Sequence, residues 1–206
     1  MTAIPNWLDG RRALVVGSGD AADAVATDFA TAGARVHRLG EALDDAPAVA
    51  AAFDSAEQGL GAPVDLLVHA GTPLGDASTA DIDLAAWRGG FSADIDGRFF
   101  HAAELARRLV GARLPGTILY LMPSPRMAAG RAAAATAHGT LDNLVKSLAV
   151  EWGRDGIRVN AIASRVVEAY DAATPTQRTS LTSLGAYLCS DYGAYITGCV
   201  MGVDEV

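Results

Sequence analysis

Short apolar runs rich in Val, Leu and Ile recur along the chain at Ala13 to Val16, Arg35 to His37, Asp65 to Val68, Thr117 to Leu121 and Arg158 to Ala161. Between them the apolar positions fall into helical spacing. From Ile95 they continue as Phe99, Ala102, Ala103, Ala106, Leu109 and Val110, and from Leu141 as Leu144, Val145, Leu148, Ala149 and Trp152. Steps of three and four residues place each set on one stripe, so two amphipathic helices are predicted. Strands that alternate with helices predict βαβ units and a parallel sheet.

Two connections are short for such a fold. Parallel neighbours need a crossover of about a dozen residues or more, usually a helix. Only Arg38 to Asp45 separate the second strand from the helical run that starts near Ala46, so a helix and a further strand cannot both fit there. Val166 to Ser180 offers only a single short connection before the last helical stretch.

Composition narrows the function classes. A chain of 206 residues has room for a single domain, 1–206, with a real core. No apolar stretch approaches the roughly 20 residues of a membrane span, and the N-terminus lacks a basic segment followed by an apolar one. A cytoplasmic location is expected, with no membrane contact. A net charge of −8, with 16 scattered basic residues, argues against nucleic acid, whose phosphates demand clustered Lys and Arg. Cys189 and Cys199 fit buried free thiols, and no His, Cys or Asp cluster has the spacing of a metal site.

Several blocks carry a resemblance. Gly10-Arg11-Arg12-Ala13-Leu14-Val15-Val16-Gly17 opens the series. Gly139 to Trp152 runs into Gly156-Ile157-Arg158-Val159-Asn160-Ala161, and the chain closes with Ser190-Asp191-Tyr192, Tyr195-Ile196-Thr197-Gly198 and Val203-Asp204. In this order the chain resembles the short-chain dehydrogenase/reductase family over nearly its whole length. The resemblance implies a three-layer, Rossmann-type, doubly wound parallel sheet. Against that pattern, the cut after the second strand removes the outer strand of the cofactor half. The second cut shortens the lid that family members carry over their substrate. The resemblance also implies that helices 94–110 and 139–152, together with the C-terminal block, associate this chain with a homologous subunit, in a tetramer.

Gly17, Gly19 and Ala22 form a G-x-G-x-x-A run after a strand and before a helix, the pattern of a loop that cradles a pyrophosphate. Asp20 opposes that use: its carboxylate at the helix N-terminus would cap free amides and repel a diphosphate. At the end of the second strand, Glu41 suits a ribose hydroxyl and Arg38 a 2'-phosphate, and surface solvation accounts for either. His69, in Leu67-Val68-His69-Ala70-Gly71, reads as a loop residue that bonds backbone.

The family reacts through a tyrosine acid/base, a lysine, a serine and an asparagine, with a nicotinamide as hydride carrier. Registered on Lys146-Ser147-Leu148-Ala149, those positions hold Ala134, His138, Pro123 and Asp94 in this chain. None of the five tyrosines is followed by a lysine four residues later, and Lys146 is the only lysine. The expectation is therefore a subunit without catalytic residues and without a cofactor of its own. It would assemble with an active homologue that binds NAD(P) and interconverts alcohols and ketones. Two alternatives stay open: a divergent NAD(P)-dependent oxidoreductase, and a non-redox enzyme that uses Ser124 and His138, with Asp94 as orienting acid.

Overall fold

A computed structural model describes residues 6–41, 43–71, 80–125 and 131–203. Asp204, the last residue of the C-terminal block, lies outside them. Six parallel strands form one sheet: β1 (Arg12–Val16), β2 (Arg35–Leu39), β3 (Leu66–His69), β4 (Gly116–Met122), β5 (Ile157–Ala163) and β6 (Val200–Gly202), in the order β2-β1-β3-β4-β5-β6. The helices are α1 (Asp20–Thr31), α2 (Ala46–Leu60), α3 (Leu84–Phe91), α4 (Gly97–Ala112), α5 (Ala132–Trp152), α6 (Arg165–Glu168) and α7 (Pro175–Cys189). None is long and apolar enough to cross a membrane.

Strand pleating divides the core into two layers, because alternate side chains point to opposite faces. Leu14, Val16, Ile118, Tyr120 and Met122 pack under α2, α4 and α5 with Phe53, Leu105 and Val145. Ala13, Val15, Leu119 and Leu121 pack on the other face against Phe29 of α1 and Leu181 and Leu188 of α7. The three-layer, doubly wound fold is as the pattern requires. A single helix, α2, links β2 to β3, so β2 is the sheet edge and no strand lies outside it among the described residues. Its Arg35, His37 and Arg38 suit an edge that must not pair with another chain.

Three local expectations need correction, and one strand, β6, was not expected. The C-terminal connection is not a plain link: Ser164 caps α6, and Thr174 with Gln177 builds a capping box in front of Pro175, so α7 starts five residues before Ser180. β6 has only three residues, too few to show an alternation. Cys199 is half-buried, whereas Cys189 is fully buried and its thiol is pushed up to about 12 by loss of solvent. Asp20 is the first residue of α1 and not its cap; the cap position is Gly19, which has no side chain to bond the free amides.

The helical stretch before α4 also begins earlier than its apolar stripe. α3 buries none of its residues, so no periodicity marks it. A π-helical turn, Ser92–Asp96, joins it to α4. Such a turn inserts an extra residue into the helix and re-aims side chains, and it is common at functional sites. Here it turns Asp94 inward.

Two glycines hold the strand ends together. Gly17 has φ +116°, and a Cβ there would lie 3.0 Å from the Gly71 carbonyl oxygen and 3.1 Å from Ala70 Cβ. Gly19, at φ +93°, faces open space. Gly17→Ala should therefore lower unfolding stability by about 2 to 5 kcal/mol, from backbone strain plus overpacking, and Gly19→Ala by about 1 to 3 kcal/mol from strain alone. Urea denaturation of the two variants checks the difference.

Candidate functional site

In an open parallel sheet, ligands bind beyond the carboxyl ends of the strands where the strand order reverses. That point lies between β1 and β3. A cleft opens there between Ser18 and Ala21, Ala70 and Gly71, Pro123, the α5 residues Ala134, Ala137, His138 and Leu141, and Val167 and Glu168 of α6. Asp94 and Arg98 line it as well. Its enclosed volume is about 40 Å³, room for about three water molecules.

Arg98 dominates the site. It is 1% exposed, the largest fully buried side chain among the described residues. Its Nε donates to Asp94 Oδ1 at 2.9 Å, and its Nη1 to the His69 carbonyl at 2.9 Å. Nη2 donates to the carbonyls of Ala70 at 3.2 Å and Leu121 at 2.9 Å. One guanidinium thus ties the ends of β3 and β4 together, and Asp94, 3% exposed, balances its charge. Gly71 is glycine because a Cβ there would collide with Arg98 and Asp94. No motif in the sequence marks Arg98. The available signal was the spacing of Asp94 and Arg98, four residues apart and in line with the buried stripe that continues through Ala102 and Leu105.

His69 ends β3 and is fully buried, not a surface-loop residue. The Gly71 amide donates to its Nδ1 at 2.9 Å, so it does bond backbone. Burial first, then the charge of Arg98 and then His101, push its pKa well below 6.5. His101 of α4 has Nδ1 2.7 Å from the Gly97 carbonyl, and burial lowers its pKa too.

Of the other sequence candidates, Ala134 and His138 stand one turn apart on α5 and both face the cleft. The Nε2 atom of His138 is enclosed and has no hydrogen-bond partner, and burial lowers its pKa against a smaller opposing effect of Asp142. Pro123 lies just past the end of β4. Ser124 is buried next to it but is not among the described lining residues, and no hydrogen bond joins it to His138. Asp94 and His138 therefore share the cleft, and Ser124 does not.

Gly17 and Gly19 form the turn between β1 and α1, and Ala22 is buried in the first turn of α1, its amide donating to the Gly19 carbonyl at 3.1 Å. That first turn carries two carboxylates, Asp20 and Asp23. Asp23 accepts from Arg38 Nε at 2.8 Å, while Arg38 Nη1 donates to the Leu39 carbonyl at 2.6 Å. Arg38 is thereby folded back over the strand ends. Glu41 is exposed.

Comparison with known proteins gives a consistent result. The family model for enoyl-(acyl carrier protein) reductase matches residues 14–183. Galactitol 2-dehydrogenase (L-tagatose-forming) of Cereibacter sphaeroides is 28% identical, over 96% of this chain and 94% of that protein. 2-(S)-hydroxypropyl-CoM dehydrogenase 3 of Xanthobacter autotrophicus is 29% identical, over 89% and 81%. A short-chain dehydrogenase from Mycobacterium smegmatis superimposes with a TM-score of 0.85 at 20% identity, covering 100% of this chain and 97% of that one, a likeness of fold.

Removing Arg98 leaves Asp94 buried and three carbonyls without donors. Arg98→Met is expected to lower stability by about 3 to 5 kcal/mol, and adding Asp94→Leu to recover at least about 1 kcal/mol, because a buried carboxylate that has lost its guanidinium costs more than an absent pair. Equilibrium denaturation of the two single variants and the double variant tests this. The His138 imidazole should titrate below 6.5 in an NMR pH series, since burial opposes its charged form.

Proposed function

The chain belongs to the short-chain dehydrogenase/reductase family, and on that premise we propose that it is a member without chemistry of its own. It acts as a subunit that assembles with a catalytically complete homologue in an NAD(P)-dependent alcohol/ketone oxidoreductase complex. The observation that carries this reading is the reaction centre. In the register set by Lys146-Ser147-Leu148-Ala149, Ala134 falls where the family's proton donor belongs and has no proton to give, and in the same cleft Arg98, paired with Asp94, spans the ends of β3 and β4.

The residues present do not suit a dinucleotide. Two carboxylates, Asp20 and Asp23, occupy the helix start that would face a diphosphate, where they neutralise the dipole that attracts an anion. NAD(P) accordingly stays with the active partner.

Exposed apolar side chains support the assembly. α4 exposes Phe99 and Val110, and α5 exposes Val150 at 82%. Tyr192 and Tyr195 of the C-terminal block are also exposed. Large apolar side chains at this exposure suit an interface better than a solvated surface. Homologous subunits readily reuse a two-fold interface as a pseudo-symmetric one, and a tetramer of two such chains with two active ones is the concrete form.

A second reading keeps one observation on its side. The enclosed, unpartnered Nε2 of His138 is a free acid/base group in the cleft, as a non-redox enzyme would need. His138→Ala should abolish any such activity.

Co-expression with a homologue that retains the tyrosine and lysine, followed by size-exclusion chromatography with light scattering and NAD(P)H titration of each species, tests the assembly. The expected outcome is a mixed oligomer in which only the partner binds cofactor. Lys146, exposed on α5 and the only amine-bearing side chain, should react more slowly with an acylating reagent in that oligomer than in the isolated chain. A stable homo-oligomer that binds NAD(P)H with micromolar affinity and turns over substrate would overturn the proposal.

A further inference from the structure

Beneath the cleft wall lie two buried imidazoles whose protonation states are set by their hydrogen bonds. The Gly71 amide donates to His69 Nδ1 at 2.9 Å, so that nitrogen is bare and the ring's proton is on Nε2. His101 Nδ1 is 2.7 Å from the Gly97 carbonyl and must carry the proton, which leaves a lone pair on its Nε2. Both Nε2 atoms are enclosed without partners. The rings meet edge to face, 5.0 Å between centroids at 76°. One unpartnered donor and one unpartnered acceptor are thus packed together, both on neutral rings.

Charge surrounds this pair unevenly. From α4, Arg98 lies against His69 and donates to its carbonyl, with Asp94 of the π-helical turn as the one balancing carboxylate. β4 contributes Tyr120, in register with His69, and burial keeps its phenol neutral. α2 presents the Phe53 ring to His101, and β1 presents Val16 beside His69, neither of them titratable. A proton added to His69 therefore meets a fixed cation and no free carboxylate among the described residues.

We propose that the His69–His101 pair is an acid-sensitive latch on the cleft. While both rings are neutral, His69 Nδ1 holds the Gly71 amide, and with it the Ala70–Gly71 wall, against Arg98. A proton taken from solvent onto His69 Nδ1 converts that acceptor into a donor, breaks the bond to Gly71 and sets a second buried cation beside Arg98. The wall is released and the cleft widens. Because burial lowers both imidazoles below 6.5, the latch is closed at neutral pH, its contribution is full above 6.5, and it is lost as the pH falls through the lowered values. This device is independent of whether the chain assembles with a homologue.

Amide hydrogen exchange of the whole chain, followed by NMR from about pH 7.5 to about pH 4.5 and corrected for intrinsic exchange, reads the latch directly. Gly71 should lose protection by about ten-fold or more on acidification while Leu119, in the sheet centre, keeps its protection. In His69→Asn the side-chain oxygen can accept the same amide two residues on and does not titrate, so Gly71 protection should become independent of pH. Imidazole 15N shifts of the unaltered protein give a second reading that needs no variant. Protonation of His69 must share its midpoint with the release of Gly71. A flat Gly71 profile, loss in step with Leu119, equal loss in His69→Asn, or a mismatch of midpoints would each overturn the proposal.

Discussion

At the carboxyl ends of β3 and β4, the backbone carbonyls of His69, Ala70 and Leu121 point into a space that water barely reaches, and one guanidinium satisfies all three. Buried carbonyls left unpaired cost on the order of 1 to 3 kcal/mol each, so Arg98 is the side chain on which this end of the sheet depends. Its own charge has to be balanced in turn. Asp94 does this only because the π-helical turn before α4 rotates it inward. Further constraints follow by contact. Gly71 has no Cβ because the pair fills that space, and Gly17 has none because the Gly71 carbonyl lies against it. A chain of steric dependence thus runs from an ion pair on α4 back to the loop after β1.

The same arrangement explains what the cleft has become. Family membership accounts for the sheet, its order and the helices on both faces. At the place where a dinucleotide fold puts its ligand, Arg98 spans the strand ends and Glu168, which lines the cleft, pairs with Arg131 at 3.4 Å; Arg38 is folded back onto Asp23 and Leu39. The short link between β2 and β3 removes an edge strand without opening either core layer, since Phe53 of α2 and Phe29 of α1 stay fully buried on opposite faces. Losses at an edge and at a loop cost little packing, whereas a loss at the sheet centre would leave cavities.

Much of this architecture was legible in the residues themselves. Ala13 to Val16 or Thr117 to Leu121 must be strands of a covered sheet because continuous apolar side chains of that length find partners on both faces only there. The stripe from Leu141 to Trp152 must be one helix face, and the absence of a Tyr-x-x-x-Lys pair needs no coordinates to establish. The helix α3 and strand β6 were not legible, the first because it buries nothing and the second because three residues carry no period.

The chemistry of the cleft lay beyond local reading. An arginine at 98 looks like any surface charge, and a histidine at 69 like any loop residue, until the register of β3 with β4 brings three carbonyls to one point and α4 presses His101 onto His69. By itself, the sequence determined most of the element types, the doubly wound sheet, the short link after β2 and the absence of a Tyr-x-x-x-Lys pair, because hydrophobic periodicity and residue identity are properties of the chain. Only the tertiary structure decided which polar groups meet, since a hydrogen bond between residues some 30 positions apart depends on strand order and helix packing, which no local pattern encodes.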